Sequence, residues 1–230
     1  MKILGFEKMS LVDFDGLVSA TLFTGGCNFK CGFCHNSPLV SSYKDLPEIP
    51  QDDILAYLKK RQGILDGVCV SGGEPTLNND LPEFIEKIKN LGYKVKLDTN
   101  GTNPDMVKQL FNDGLVDYFA MDIKNDKKAY AKIIGFDAFD TAKVEKTVEF
   151  FLTAPVKYEF RTTLVNEFHT KENMINIGKW IKGADKYFLQ KFKENENCIE
   201  QGFSPVEEEK AKEFIEILTP YIPTIKLRGY

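Results

Sequence analysis

The feature that most limits this chain is a recurrence. Short β-rich runs lie at 16–23, 67–73, 94–100, 116–123, 157–165, 186–192 and 224–229. Between them, apolar residues fall at helical spacing, as in Ile54, Leu55 and Leu58, then Phe84, Ile85 and Ile88, then Val148, Phe151 and Leu152. Strand then helix, repeated about every 30 residues, predicts α/β architecture with parallel strands and crossover helices. Two helix starts carry a cap residue ahead of an early proline: Asp80 before Leu81 and Pro82, and Asn103 before Pro104. No stretch reads as a Gly-, Ser- or Pro-rich linker, so residues 1–230 are expected to form one domain.

In such folds functional groups collect where strands end. The polar oddities of this sequence sit there. The first predicted strand leads into "GGCNFKCGFCHNSP" (25–38), the second ends in "SGGEP", the third in "DTNG" and the fourth in "MDIK". The fifth carries Arg161, and the sixth carries Gln190 and Lys191.

Composition narrows the classes of function. With 43% hydrophobic and 28% charged residues the chain reads as an ordinary globular protein. Its net charge of −4 argues against nucleic acid as a partner, and no window has the ~20 apolar residues that cross a bilayer. The N-terminal stretch, charged at Lys2, Glu7 and Lys8, does not resemble a signal peptide, so a cytoplasmic location and no membrane partner are expected. In that compartment clustered thiols hold metal more often than they form disulfides.

Three of the five cysteines, Cys27, Cys31 and Cys34, are spaced Cys-x3-Cys-x2-Cys. A closed zinc site wants four ligands, and no second Cys or His pair supplies the fourth. A 4Fe-4S cluster on three thiolates would instead leave one iron open to another ligand. From the residues alone, cluster, zinc and redox-thiol readings all stay open.

The spacing, with Phe33 just before the last cysteine, resembles the signature of the radical S-adenosylmethionine (SAM) superfamily, and "SGGEP" resembles its second motif. "DTNG", "MDIK" and "CNFKCGFCHN" are similar more narrowly to activating enzymes of glycyl-radical enzymes, above all that of anaerobic ribonucleoside-triphosphate reductase. The resemblance implies a partial (β/α)6 barrel, laterally open, that holds one 4Fe-4S cluster on Cys27, Cys31 and Cys34. It implies that SAM on the open iron is reductively split to a 5′-deoxyadenosyl radical, which takes hydrogen from a glycine of the partner enzyme. A flavodoxin or ferredoxin is the implied electron donor.

The implied SAM contacts follow residue by residue. Gly72 and Gly73 leave room for the methionine part, and Glu74 accepts from its ammonium group. Asp98, Thr99 and Asp122 match positions that hold a monovalent cation in pyruvate formate-lyase activating enzyme, and Asn100 goes with them. Lys124 and Arg161 suit the carboxylate or ribose hydroxyls, and Phe33 with its neighbouring backbone faces adenine.

Plainer readings stand beside these. Asn100-Gly101 makes ordinary turn chemistry, and Asp122 and Lys124, two apart on a strand, share a face and can pair. Cys69 reads as a core residue and Cys198 as exposed, while His35 and His169 have no nameable partner. Arg228-Gly229-Tyr230 has the look of a glycyl-radical site but is read as an exposed end. The rival functions are activation of another glycyl-radical enzyme of the pyruvate formate-lyase type, chemistry on a small molecule as in 7-carboxy-7-deazaguanine synthases, and a zinc-stabilised interaction module.

Overall fold

A computed structural model describes all residues 1–230. Its eight strands are β1 (Ile3–Ser10), β2 (Ser19–Thr24), β3 (Gly67–Gly72), β4 (Lys94–Thr99), β5 (Tyr118–Asp122), β6 (Tyr158–Leu164), β7 (Tyr187–Lys191) and β8 (Ile225–Arg228). They follow chain order in one sheet that is not closed, with β1 and β8 at its ends. The helices are α1 (Ser37–Ser41), α2 (Gln51–Lys60), α3 (Leu81–Asn90), α4 (Pro104–Asn112), α5 (Tyr130–Ile133), α6 (Ala142–Thr153), α7 (Lys171–Trp180) and α8 (Glu208–Leu218). Each strand from β2 to β7 is thus followed by helix, which is the expected six-unit pattern. No helix is long and apolar enough to cross a membrane.

The chain divides into two compact units. One comprises residues 1–28, 38–99 and 103–119; the other comprises 29–37, 100–102 and 120–230.

In the first unit β1 runs antiparallel to β2, and β2, β3 and β4 run parallel in register, with Thr21 opposite Cys69 and Cys69 opposite Lys96. Val68, Cys69 and Val70 are all fully buried, as a parallel strand covered on both faces requires. Cys69 is therefore a core residue. Helix α3 turns Leu81, Phe84, Ile85 and Ile88 inward, the i, i+3, i+4, i+7 stripe of an amphipathic helix. Its start departs from expectation: the Asp80 side chain makes no capping bond, and its carboxylate binds the amino group of Met1 instead. At α4 the expected cap is present, with the Met106 N–H donating to Asn103 Oδ1 at 3.3 Å.

In the second unit β6, β7 and β8 are parallel, with Arg161 opposite Phe188 and Gln190 opposite Arg228. Helix α7 opens with a reciprocal cap between Thr170 and Asn173. Helix α8 buries Ala211, Phe214 and Leu218 on one face.

Candidate active site

In the first unit the end of β3 meets the start of the cysteine loop mainly through backbone, with the Thr24 hydroxyl adding a bond to Ser71 O at 3.2 Å. The Gly73 N–H donates to Thr24 O at 2.9 Å and the Glu74 N–H to Gly26 O at 2.8 Å. Gly72 has φ +118°, and a Cβ on Gly73 would lie 2.0 Å from the Gly26 carbonyl oxygen. No other residue fits at 73 without moving the loop that carries Cys27. The closeness these glycines allow is thus to the chain's own backbone, beside whatever they admit above it.

Glu74, only 1% exposed, is locked in orientation. Its Oε1 accepts from the Thr76 N–H at 3.1 Å, the Thr76 hydroxyl at 2.6 Å and the Thr99 hydroxyl at 2.8 Å. Asp98, one residue before Thr99, accepts from Ser71 Oγ at 3.0 Å and pairs with Lys96 Nζ at 3.1 Å. Lys96 also donates to the Asp13 carbonyl at 2.6 Å. Sequence reasoning passed over Lys96, yet the signal was present: a lysine two residues before an aspartate in an otherwise apolar strand shares its face.

The second unit holds the other half of the expected residues. Asn100 spends its side-chain oxygen on a turn, accepting from the Thr102 N–H at 3.0 Å and hydroxyl at 2.7 Å. At the end of β5, Asp122 takes one cation on each oxygen. Lys124 Nζ donates to Oδ2 and Arg161 Nε to Oδ1, both at 2.9 Å. Burial pushes the Asp122 carboxyl up, but Arg161 and Lys124 together outweigh it and hold it at about 2. Burial likewise pulls the Lys124 ammonium down. Asp122, and then the thiols of Cys31 and Cys34, overcome that pull and hold it above the usual lysine range.

The cysteine segment here is braced from several sides. The Cys34 N–H donates to Cys31 O at 2.9 Å, Glu200 N–H to Gly32 O at 2.8 Å, and Ser37 N–H to Asn197 O at 3.3 Å. Phe33, 5% exposed, packs its ring against Phe168 at 6.2 Å and Phe192 at 6.3 Å, so its backbone rather than its ring face is what it can offer a base. His35 stacks on Phe192 at 5.4 Å, and its Nε2 is buried with no partner. Cys198, expected at the surface, is buried: the 194–203 loop folds on itself through Glu194 Oε1, which accepts from the Phe203 N–H at 3.0 Å, and tucks that thiol in. At the chain's end Arg228 pairs with the buried Glu159 at 3.2 Å and lies 3.9 Å over the Phe188 ring, while Gly229 is exposed.

All five cysteines are free thiols, and no three His, Cys, Asp or Glu side chains in the chain are placed to share one metal ion. A single zinc needs every donor about 2.3 Å from one point, whereas a 4Fe-4S cluster gives each thiolate its own iron. The donor set fits the cluster in type: three thiols within one glycine-bearing stretch of sequence, two of which, Cys31 and Cys34, have the Lys124 ammonium in their field to offset the negative charge such a group brings.

The family model described as "Radical SAM superfamily" matches residues 21–177. A Methanocaldococcus jannaschii protein, provisionally named a glycyl-radical enzyme activating enzyme, is 31% identical over 234 residues, which cover 97% of this chain and 94% of the relative. Among solved structures, Streptococcus suis SuiB aligns with a TM-score of 0.71 at 17% identity, over 91% of this chain and 48% of SuiB. A domain of a pyruvate-formate lyase-activating enzyme from Bacteroides vulgatus aligns at 0.58 and 17%, over 71% of this chain and 99% of that domain. At such identities the two structures speak for the fold alone.

Proposed function

Because the chain belongs to the radical SAM superfamily, we propose that it is the activating enzyme of a glycyl-radical enzyme, and that its partner is anaerobic ribonucleoside-triphosphate reductase. The observation that carries the reading is one of extent. The M. jannaschii relative named for this activity matches almost end to end, whereas this chain spans about half of SuiB. The wording of "CNFKCGFCHN", "DTNG" and "MDIK" supports the choice of partner.

In this reading residues 1–230 act as one radical SAM domain, since the family match includes segments of both compact units. Cys27, Cys31 and Cys34 hold a 4Fe-4S cluster, and SAM binds at its open iron. When bound, cluster and SAM supply a one-electron cleavage whose nucleoside fragment takes a hydrogen atom from the partner's glycine.

The chain's own residues bind and orient. Gly72, Gly73 and the backbone around them form the floor under the methionine part. Glu74, its Oε1 fixed by Thr76 and Thr99, presents its carboxylate to the ammonium group. Arg161 and Lys124 face the SAM carboxylate or ribose, with Asp122 holding both in place. Phe33 backbone and Asn100 border the base. A monovalent cation is not needed for charge balance, because Lys96 already answers Asp98, and Lys124 with Arg161 answers Asp122. The electron comes from a flavodoxin or ferredoxin in the cytoplasm, since one three-cysteine set leaves no second cluster to relay it.

The test is anaerobic reconstitution with iron and sulfide, reduction by dithionite, and addition of SAM. Formation of 5′-deoxyadenosine by wild type, and not by Cys31→Ala, is expected. A glycyl signal by electron paramagnetic resonance should then appear on anaerobic ribonucleotide reductase. A signal on a pyruvate formate-lyase instead would reassign the partner, and a colourless zinc protein that leaves SAM intact would overturn the whole reading.

A further inference from the structure

One buried side chain joins Lys124 to the cysteine segment without belonging to any expected motif. His169 lies past the end of β6 and is fully buried. Its Nδ1 lies 3.0 Å from the Val165 nitrogen, whose N–H it can accept, and 3.1 Å from the Val165 carbonyl oxygen; Nε2 faces the Lys124 carbonyl, which can only accept, so the ring proton that serves both sides is on Nε2. Nε2 in turn donates to the Lys124 carbonyl at 3.1 Å. The neighbouring residue repeats the grip, since Asn125 Nδ2 donates to the Phe168 carbonyl at 3.0 Å. The Phe168 ring packs on Phe33, between Cys31 and Cys34. The 165–169 turn therefore holds the backbone of Lys124 on one side and the cysteine segment on the other.

We propose that His169 is a positioning residue: by fixing the Lys124 carbonyl it sets where the Lys124 ammonium stands relative to the thiolates of Cys31 and Cys34, and so how readily a cluster on them accepts an electron. The inference rests on the cluster reading given above. Reduction adds negative charge to the cluster, and a cation held close by in a partly buried setting favours the reduced form. A lysine stem is flexible. Its ammonium stays put only while Asp122 holds the tip and His169 holds the root.

The experiment is a redox titration of reconstituted protein followed by electron paramagnetic resonance, on wild type, His169→Leu, His169→Gln, Lys124→Met and the Leu/Met double variant. His169→Leu should make reduction harder, by on the order of threefold in the equilibrium constant, the scale of moving one charge by an ångström or two at intermediate dielectric. His169→Gln, whose amide can still donate to the Lys124 carbonyl, should stay near wild type. The double variant should be no harder to reduce than Lys124→Met alone, because both changes act through one ammonium. An unchanged potential in His169→Leu at full iron content, or additive shifts, overturns the inference while leaving the cluster intact. If His169→Leu fails to fold, the decision passes to His169→Gln and Lys124→Met: a shifted potential in the first or an unshifted one in the second rejects it. Wild type that takes up no cluster defeats the functional reading, and this one with it.

Discussion

Arg161 and Asp122 meet at 2.9 Å, Nε to Oδ1, from the middle of β6 to the end of β5. Lys124 occupies the other carboxylate oxygen at the same distance, so Asp122 sits between two cations. Asp122→Asn would leave Arg161 and Lys124 facing a neutral amide. The expected cost is about 2 kcal/mol of stability, at the low end for a broken partly buried pair, seen as a lower urea midpoint with unchanged slope.

Gly73→Ala tests the backbone contact at the end of β3. A Cβ 2.0 Å from the Gly26 oxygen cannot be absorbed by a side chain turning aside. We expect about 3 kcal/mol of destabilisation and a melting temperature roughly 6–12 °C lower. A variant that melts like wild type would mean the loop yields freely.

Cysteine substitutions should split cleanly. Cys31→Ala removes one of the proposed cluster ligands and should abolish iron retention after reconstitution. Cys198→Ser, in the 194–203 loop, should retain about four iron atoms per chain, though its buried hydroxyl lowers stability slightly. Loss of iron in Cys198→Ser would bring that thiol into the ligand set.

Acid should destabilise the fold in two steps. Burial holds His169 below its model-peptide value of 6.5, so the unfolded chain takes up that proton first as pH falls. Stability is full above about pH 7 and declines below 6.5. Asp122, held at about 2 against an unfolded value of 3.8, adds a second decline as pH falls through that lower window. His169→Gln should flatten the first step and leave the second, as read from urea midpoints across pH.

Seven strands were legible, most of them because a short apolar run is covered on both faces, and β8, which has no buried residue, because Ile225 and Leu227 alternate with Lys226 and Arg228. β1 was not. Its sequence, ILGFEKMS, exposes Glu7, Lys8 and Met9 in a row, so neither alternation nor an unbroken apolar run marks it; pairing with β2 makes it a strand. The motif residues could be read because their chemistry is carried by side-chain type and spacing. His169 could not, since its partners are backbone atoms of Val165 and Lys124, which no residue letter records. Asp80 was misread as a side-chain cap because nothing local shows that another group claims its carboxylate. Cys198 was misread because a polar stretch, KENENCIEQG, closes on itself and buries that thiol while its neighbour Ile199 stays half-buried.

β1 also bears on how copies of this protein behave in a crowded solution. A terminal strand offers a row of carbonyls and N–H groups to any extended chain that drifts by. Here Ile3 O already accepts from the Ile49 N–H at 2.8 Å, and Lys8 O from the Tyr57 hydroxyl at 3.1 Å. The antiparallel ribbon is a hem: two stitches from its own unit blunt the border against strand addition and the stacking of sheet on sheet that follows from it.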